Sequence, residues 1–153
     1  MPPPSPATAS EYQQRILAAE QTVQQDPKNV RAWIQLGNDY FDTKQPQRAI
    51  DAYAKALELQ PNNPDVLTDQ GVMYRDIGAF EKAIANFNKA SELDPKHVQS
   101  LYNLGVVYAH DLKDSTKAAQ AWRRVIDVAP GSPQAQQALQ GLAELQKAPG
   151  QRP

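Results

Sequence analysis

The stretch VRAWIQLGNDYFDTKQPQRAIDAYAKALELQP, residues 30–61, decides how the rest of the chain is read. Trp33, Leu36, Gly37 and Tyr40 make one stripe at helical spacing, and Ala49, Ile50, Tyr53, Ala56 and Leu57 make a second. A polar connection separates them, and Pro46 suits a first helical position, where a missing N–H is not needed. Pro61 disfavours helix at the residue before it and so closes the second segment. A glycine inside a helix costs about 1 kcal/mol against alanine, so Gly37 needs a packing reason. A large ring on the partner helix, Tyr53, supplies it. The stretch predicts two antiparallel helices.

The pattern recurs. Val30, Pro64 and Val98 open three copies spaced 34 residues apart. The second carries Leu67, Gly71, Tyr74, Ala83, Phe87, Ala90 and Pro95, with Gln70 where the first has Leu36. The third carries Leu101, Leu104, Gly105, Tyr108, Ala118, Trp122 and Pro130, with Val125 in a small-residue place and one extra residue between Tyr108 and Ala118. A fixed period of roughly 20–50 residues marks an array whose units bury their faces only by stacking. The motif W-x2-L-G-x2-Y, then A-x3-Y-x2-A and a closing proline, resembles the tetratricopeptide repeat (TPR) family. The resemblance implies an all-α fold, a right-handed α-solenoid of three TPR helix-turn-helix repeats with an N-terminal and a C-terminal capping helix.

Arrays need capping elements at both ends. Ser10 with Gln13 reads as a capping-box start, and Tyr12, Ile16, Ala19 and Val23 follow as an apolar stripe up to Asp26-Pro27. At the other end Ser132-Pro133 opens a helix with Ala135, Ala138, Leu139, Leu142 and Leu145 inward and a glutamine-rich face outward. The expected organisation is a disordered Pro-rich tether over 1–9, a capping helix over 10–26, repeats over 30–63, 64–97 and 98–132, a capping helix over 133–147 and a disordered tail over 148–153.

Composition narrows the function. A net charge of -1 leaves no basic surplus for a phosphate backbone, so a nucleic-acid partner is not expected. With no cysteine, disulfides and thiolate chemistry are absent, and zinc would depend on two histidines and carboxylates. No run approaches the roughly 18 apolar residues of a membrane helix, so no direct membrane insertion of this segment is expected. The segment MPPPSPATAS lacks the basic and apolar regions of a secretory signal. A cytoplasmic protein is the default, with a periplasmic domain of an N-terminally anchored protein as the alternative. The nucleophile elbow, HExxH, Walker and dinucleotide fingerprints are missing, so neither an enzyme nor a cofactor is expected.

The stretch YAHDLKDSTKAAQAW, residues 108–122, looks like a catalytic loop but aligns with residues 40–53 and 74–87 as a lengthened copy. Aligned on its tyrosine, His110 falls in the column of Asp42 and Asp76, and the extra residue is expected to lengthen the following turn. His97 reads as an exposed turn residue. Asp65, Asp69 and Asp76 lie near one helix face, where solvation or a partner fits better than a metal.

Function then rests on surface recognition. In the TPR family the first helices of successive repeats line a concave groove that holds a peptide or helix of a partner protein. The faces opposite the packing stripes give Arg31, Ile34, Asn38, Phe41 and Asp42 from the first copy. The second gives Asp65, Thr68, Asp69, Val72, Arg75 and Asp76, and the third Gln99, Tyr102, Asn103, Val106 and His110. Ile34, Phe41, Val72, Tyr102 and Val106 serve equally well as packing between helices. Acids near helix C-termini are disfavoured, so a protein or peptide partner with basic or amide groups is expected on a monomeric adaptor or scaffold.

TPR domains that hold the C-terminal carboxylate of heat-shock chaperones use two lysines, an arginine and two asparagines. The corresponding places here hold Ile34, Asn38, Asp69, Gln99 and Asn103, of which Asn38 alone matches, and Asp69 would repel a carboxylate. The repeat sequence and Pro-rich start also resemble bacterial TPR proteins tethered to the inner membrane, including the cytochrome c biogenesis type. That resemblance implies an assembly factor or chaperone presenting an unfolded apocytochrome segment. A structural module that assembles with its own copies is the alternative from another class.

Overall fold

The computed structural model describes residues 1–147; the tail expected over 148–153 lies outside them. Eight α-helices and one π-helical turn make up the regular structure of the described residues. No helix among the described residues is long and apolar enough to cross a membrane. The chain divides into two compact units, Met1–Pro61 and Asn62–Pro153.

The first unit holds α1 (Ala9–Gln25), α2 (Val30–Asp42) and α3 (Pro46–Leu59). Residues 1–8 have no regular structure, and α1 starts one residue earlier than expected. Its capping box is Thr8 with Glu11, not Ser10 with Gln13. Thr8 Oγ1 accepts from the Glu11 N–H at 3.2 Å, and the Glu11 carboxylate accepts from the Thr8 N–H at 2.5 Å. Both tetrads have the required spacing; a carboxylate near the helix N-terminus is favoured over an amide. The Thr8 N–H bond holds the Glu11 carboxyl below its ordinary pKa. The α2–α3 pair closes as the glycine argument requires, since a Cβ at Gly37 would lie 2.5 Å from the Tyr53 ring. Pro46 sits at the start of α3, and Gln60, before Pro61, ends it.

The second unit holds α4 (Pro64–Asp76), α5 (Phe80–Leu93), α6 (Val98–Val106), α7 (Ser115–Val128) and α8 (Pro133–Leu145), with the π-helical turn Val107–Asp111 continuing α6. The glycine rule repeats: a Cβ at Gly71 would lie 2.6 Å from Phe87, and one at Gly105 would overlap the Trp122 indole. Phe87 packs with Ala83, Leu104, Val107 and Ala121. Trp122 packs with Leu101, Val125, Ala135 and Ala138, so α8 is held by the cluster around the indole. Leu139 is not inward as expected but 55% exposed. With Ala135 and Ala138 buried, the next residue is carried past the buried arc onto the polar face.

Gln70 is a compensated departure from the motif. It is buried, and its Oε1 accepts from Asn86 Nδ2 at 2.7 Å, while that amide also reaches the Leu67 carbonyl at 3.1 Å. The other copies carry Leu36 with Ala52 and Leu104 with Ala121 at these two places. One apolar pair has become one hydrogen-bonded pair.

The extra residue of the third copy does not lengthen the turn. It is absorbed inside the helix, as the π-helical turn. The turns themselves match in length: Thr43-Lys44-Gln45, Ile77-Gly78-Ala79 and Leu112-Lys113-Asp114, with left-handed middle residues at φ 60, 78 and 57. In each, the last residue donates its N–H to the carbonyl of the signature tyrosine, Tyr40, Tyr74 or Tyr108, at 2.8 Å. The structural column of Asp42 and Asp76 therefore continues with Asp111, the last residue of its helix, and not with His110.

Candidate functional site

In the first unit polar side chains at the positions nominated for binding tie α2 to its neighbours α1 and α3. Asp42, exposed, accepts from the Tyr12 hydroxyl at 3.2 Å, and Asn38 Oδ1 accepts from the Tyr53 hydroxyl at 2.8 Å. Arg31 is exposed, while Ile34 and Phe41 are half-buried. Between them Asp39 is fully buried and carries an ion pair with Arg15, and Gln35 Nε2 adds 3.1 Å bonds to both its oxygens. Tyr40 donates to the Glu20 carboxylate at 2.5 Å.

Burial, reinforced by the Glu20 hydrogen bond and charge, pushes the Tyr40 hydroxyl from its ordinary 10.0 up to about 12. Tyr12 is raised too, by burial and then by Asp42. The folded state thus holds the Tyr40 proton more tightly than the unfolded state. The stabilisation is complete below about pH 10 and is lost as pH rises to about 12. Absorbance titration of tyrosinate should show Tyr40 ionising after an ordinary tyrosine, and Glu20→Gln should bring that step down in pH.

In the second unit the nominated residues divide. Thr68 is 1% exposed, with its hydroxyl turned to the Pro64 carbonyl at 2.8 Å, so it is a packing residue and not partner-facing. Asp65 is engaged by His97 Nε2 at 2.8 Å. His97 is not a bland turn residue: its Nδ1 accepts the Ser100 N–H at 3.3 Å and caps α6. An acceptor at Nδ1 leaves Nε2 as the nitrogen that donates to Asp65.

Arg75 is paired with Asp111, Nε to Oδ2 at 2.5 Å, so its guanidinium joins α4 to the end of the π-helical turn. Val72 packs against the Phe87 cluster, and Tyr102 and Val106 against the Trp122 cluster. Tyr102 stacks on Trp122 at 6.4 Å. The half-buried Asp69 and the exposed Asp76 and Gln99 complete α4 and α6, with Gln99 Nε2 donating to Asn103 Oδ1 at 3.4 Å. His110 is exposed and meets Trp122 edge-on at 6.4 Å.

Two polar features stand open. Asn103 Nδ2 is buried without a hydrogen-bond partner. Asp76 shows no ion pair among the described residues. Its counterparts Asp42 and Asp111 are matched by Tyr12 and Arg75, so the chain itself offsets the unfavourable C-terminal charge at those two places. No cluster of three or more metal-binding side chains occurs among the described residues.

Sequence reasoning missed one recurring element: Arg48, Lys82 and Lys117 lie over the rings of Tyr40, Tyr74 and Tyr108 at 5.7, 5.6 and 5.5 Å. A basic third residue in every second helix was the available signal.

Comparison with known proteins agrees with this architecture. Two crystal structures of MamA are similar at 25% identity, one with a TM-score of 0.83 over 89% of this chain and 77% of that one, the other with 0.82 over 89% and 72%. The first TPR of Spaghetti (RPAP3), solved bound to the HSP90 peptide SRMEEVD, shares the fold at 23% identity, with a TM-score of 0.70 over 78% of this chain and 92% of that one. No curated protein matches the sequence. Residues 1–135 match the family described as the cytochrome c-type biogenesis protein H TPR domain. With its glycine-and-ring helix pairs, its capping helices and this match over most of its length, the chain belongs to that TPR family.

Proposed function

We propose that the chain is a non-catalytic adaptor that holds a segment of another protein against the first helices of its repeats, and that the client is a haem-free c-type cytochrome polypeptide. Asn103 carries this reading. A buried N–H donor without an acceptor costs about 1–3 kcal/mol, and a peptide carbonyl of a bound segment is the acceptor it lacks. Asp76 supports it, as an exposed acid able to meet a basic or amide group of the client.

The family assignment favours the cytochrome client over a generic adaptor. The peptide held by the Spaghetti TPR is acidic and ends in a carboxylate-bearing residue. Asp69 at the corresponding place argues against that ligand class here.

Calorimetric titration with a haem-free c-type cytochrome tests the proposal. Wild type should bind, and Asn103→Ala should weaken binding by about tenfold, the equivalent of about 1.4 kcal/mol. Equal affinity for Asn103→Ala would remove the assigned contact. Equal binding of the folded, haem-loaded cytochrome would remove the unfolded client.

A further inference from the structure

The three turns that lead into the first helices of the repeats end on Asn29, Asn63 and His97, 34 residues apart, and each of these residues caps the helix that follows. Asn29 Oδ1 accepts the Ala32 N–H at 3.0 Å, Asn63 Oδ1 accepts the Val66 N–H at 3.1 Å, and His97 Nδ1 accepts the Ser100 N–H at 3.3 Å. An amide oxygen remains an acceptor at any physiological pH. An imidazole nitrogen does not, since histidine gains a proton between about pH 5 and 8 and then carries two donors and no acceptor.

The ring also faces α4. Its side chain is 13% exposed, and Nε2 lies 2.8 Å from Oδ1 of Asp65, a carboxylate that is 85% exposed. Asp65 is the one charged side chain bonded to the ring among the described residues, α5 and α6 adding none. Asp94 and Lys96 of the same turn are exposed, and the Lys96 N–H goes to Asp94 Oδ1 at 3.0 Å. On the α6 side Ser100 is fully buried, and its hydroxyl donates to the His97 carbonyl at 2.9 Å.

Protonation sets these two sides against each other. The charged ring is drawn more strongly to Asp65, and its Nδ1 becomes a donor toward Ser100 Oγ, 3.0 Å away. The Ser100 N–H is then buried without its acceptor, beside a positive charge at a helix N-terminus, and both are unfavourable. We propose that His97 is a pH-operated clasp at the junction of the second and third repeats: neutral, it caps α6 and holds α4, and protonated, it keeps α4 and lets go of the start of α6. The clasp does not depend on what the chain binds.

Amide exchange of the full chain, followed by two-dimensional NMR at pH 5 and 7.5 with each rate corrected for its intrinsic pH dependence, reads the cap at the Ser100 N–H. Its protection should be about fivefold lower at pH 5, equivalent to about 1 kcal/mol, the size of one N-cap. Ala32 and Val66, under asparagine caps, should keep theirs, and His97→Asn should give Ser100 the same constancy while α6 stays folded. Ser100 protection that is equal at the two pH values or higher at pH 5, an equal loss at Ala32 and Val66, or a loss at Ser100 that persists in His97→Asn overturns the proposal.

Discussion

Replacing Trp122 by alanine is expected to lower the unfolding free energy by about 3–5 kcal/mol, the range for deleting a large buried aromatic side chain. The indole is 2% exposed, faces Gly105 on α6 and Gly141 on α8, and donates from Nε1 to the Tyr102 carbonyl at 3.2 Å. Truncation empties the space that two glycines exist to provide, and removes the indole donor from the Tyr102 carbonyl. Trp122→Phe keeps most of the ring but not the donor, and should cost less. Urea unfolding of the three proteins measures this. A loss below about 1 kcal/mol for the alanine variant, the level of an ordinary substitution, would show that the indole is not the wedge between these helices.

The second large effect belongs to Arg15. Asp39 is fully buried in α2, and the guanidinium from α1 is its one cationic partner among the described residues. Removing one member of a buried pair costs about 3–5 kcal/mol because it strands a charge. The lower end applies here, since Gln35 still bonds both oxygens and the Arg15 side chain is 45% exposed. Arg15→Met should thus destabilise by about 3 kcal/mol, and amide exchange should show α1 losing protection before α2. The double variant Arg15→Met with Asp39→Leu should recover most of that loss. A double variant no more stable than the single one would place the penalty in packing and not in the stranded carboxylate.

Period and glycine placement made the helix pairs legible in the sequence, because each mid-helix glycine calls for a large ring on its partner helix and Tyr53, Phe87 and Trp122 answer in turn. The caps were legible as helices but not in detail. Thr8 and Ser10 both satisfy the box spacing, and helical phase alone put Leu139 on the wrong side of a narrow buried arc. The extra residue of the third copy was visible, yet a one-residue insertion reads equally as a longer turn or a wider helix. Backbone hydrogen bonds decide between these, and they favour the π-helical turn.

The candidate site was legible as a set of faces, not as a set of free side chains. Phase places Arg75 and Asp65 on the right helix but says nothing of Asp111 or His97, which are 36 and 32 residues away in the chain. Those partners come from the stacking of successive helices. A short polar side chain such as Thr68 can also turn back to its own helix and vanish from the surface. The unpartnered amide of Asn103 depends on where all its polar neighbours sit, which the helical phase of its own segment does not carry.

The Gln70–Asn86 pair bears on how a chain of look-alike segments avoids folding out of turn. Near-identical helix hairpins invite docking of one copy's helix on another's mate, a typical failure of repeat proteins. Were α4 to pair with a helix bearing Ala52 or Ala121 at the facing place, Gln70 would meet a methyl group there and lose its hydrogen bond to Asn86, at about 0.5–1.5 kcal/mol. Only α5 supplies the matching amide. A polar exchange at one facing pair of the repeat thus labels its hairpin, so that the correct mate is favoured by the penalty on the wrong ones.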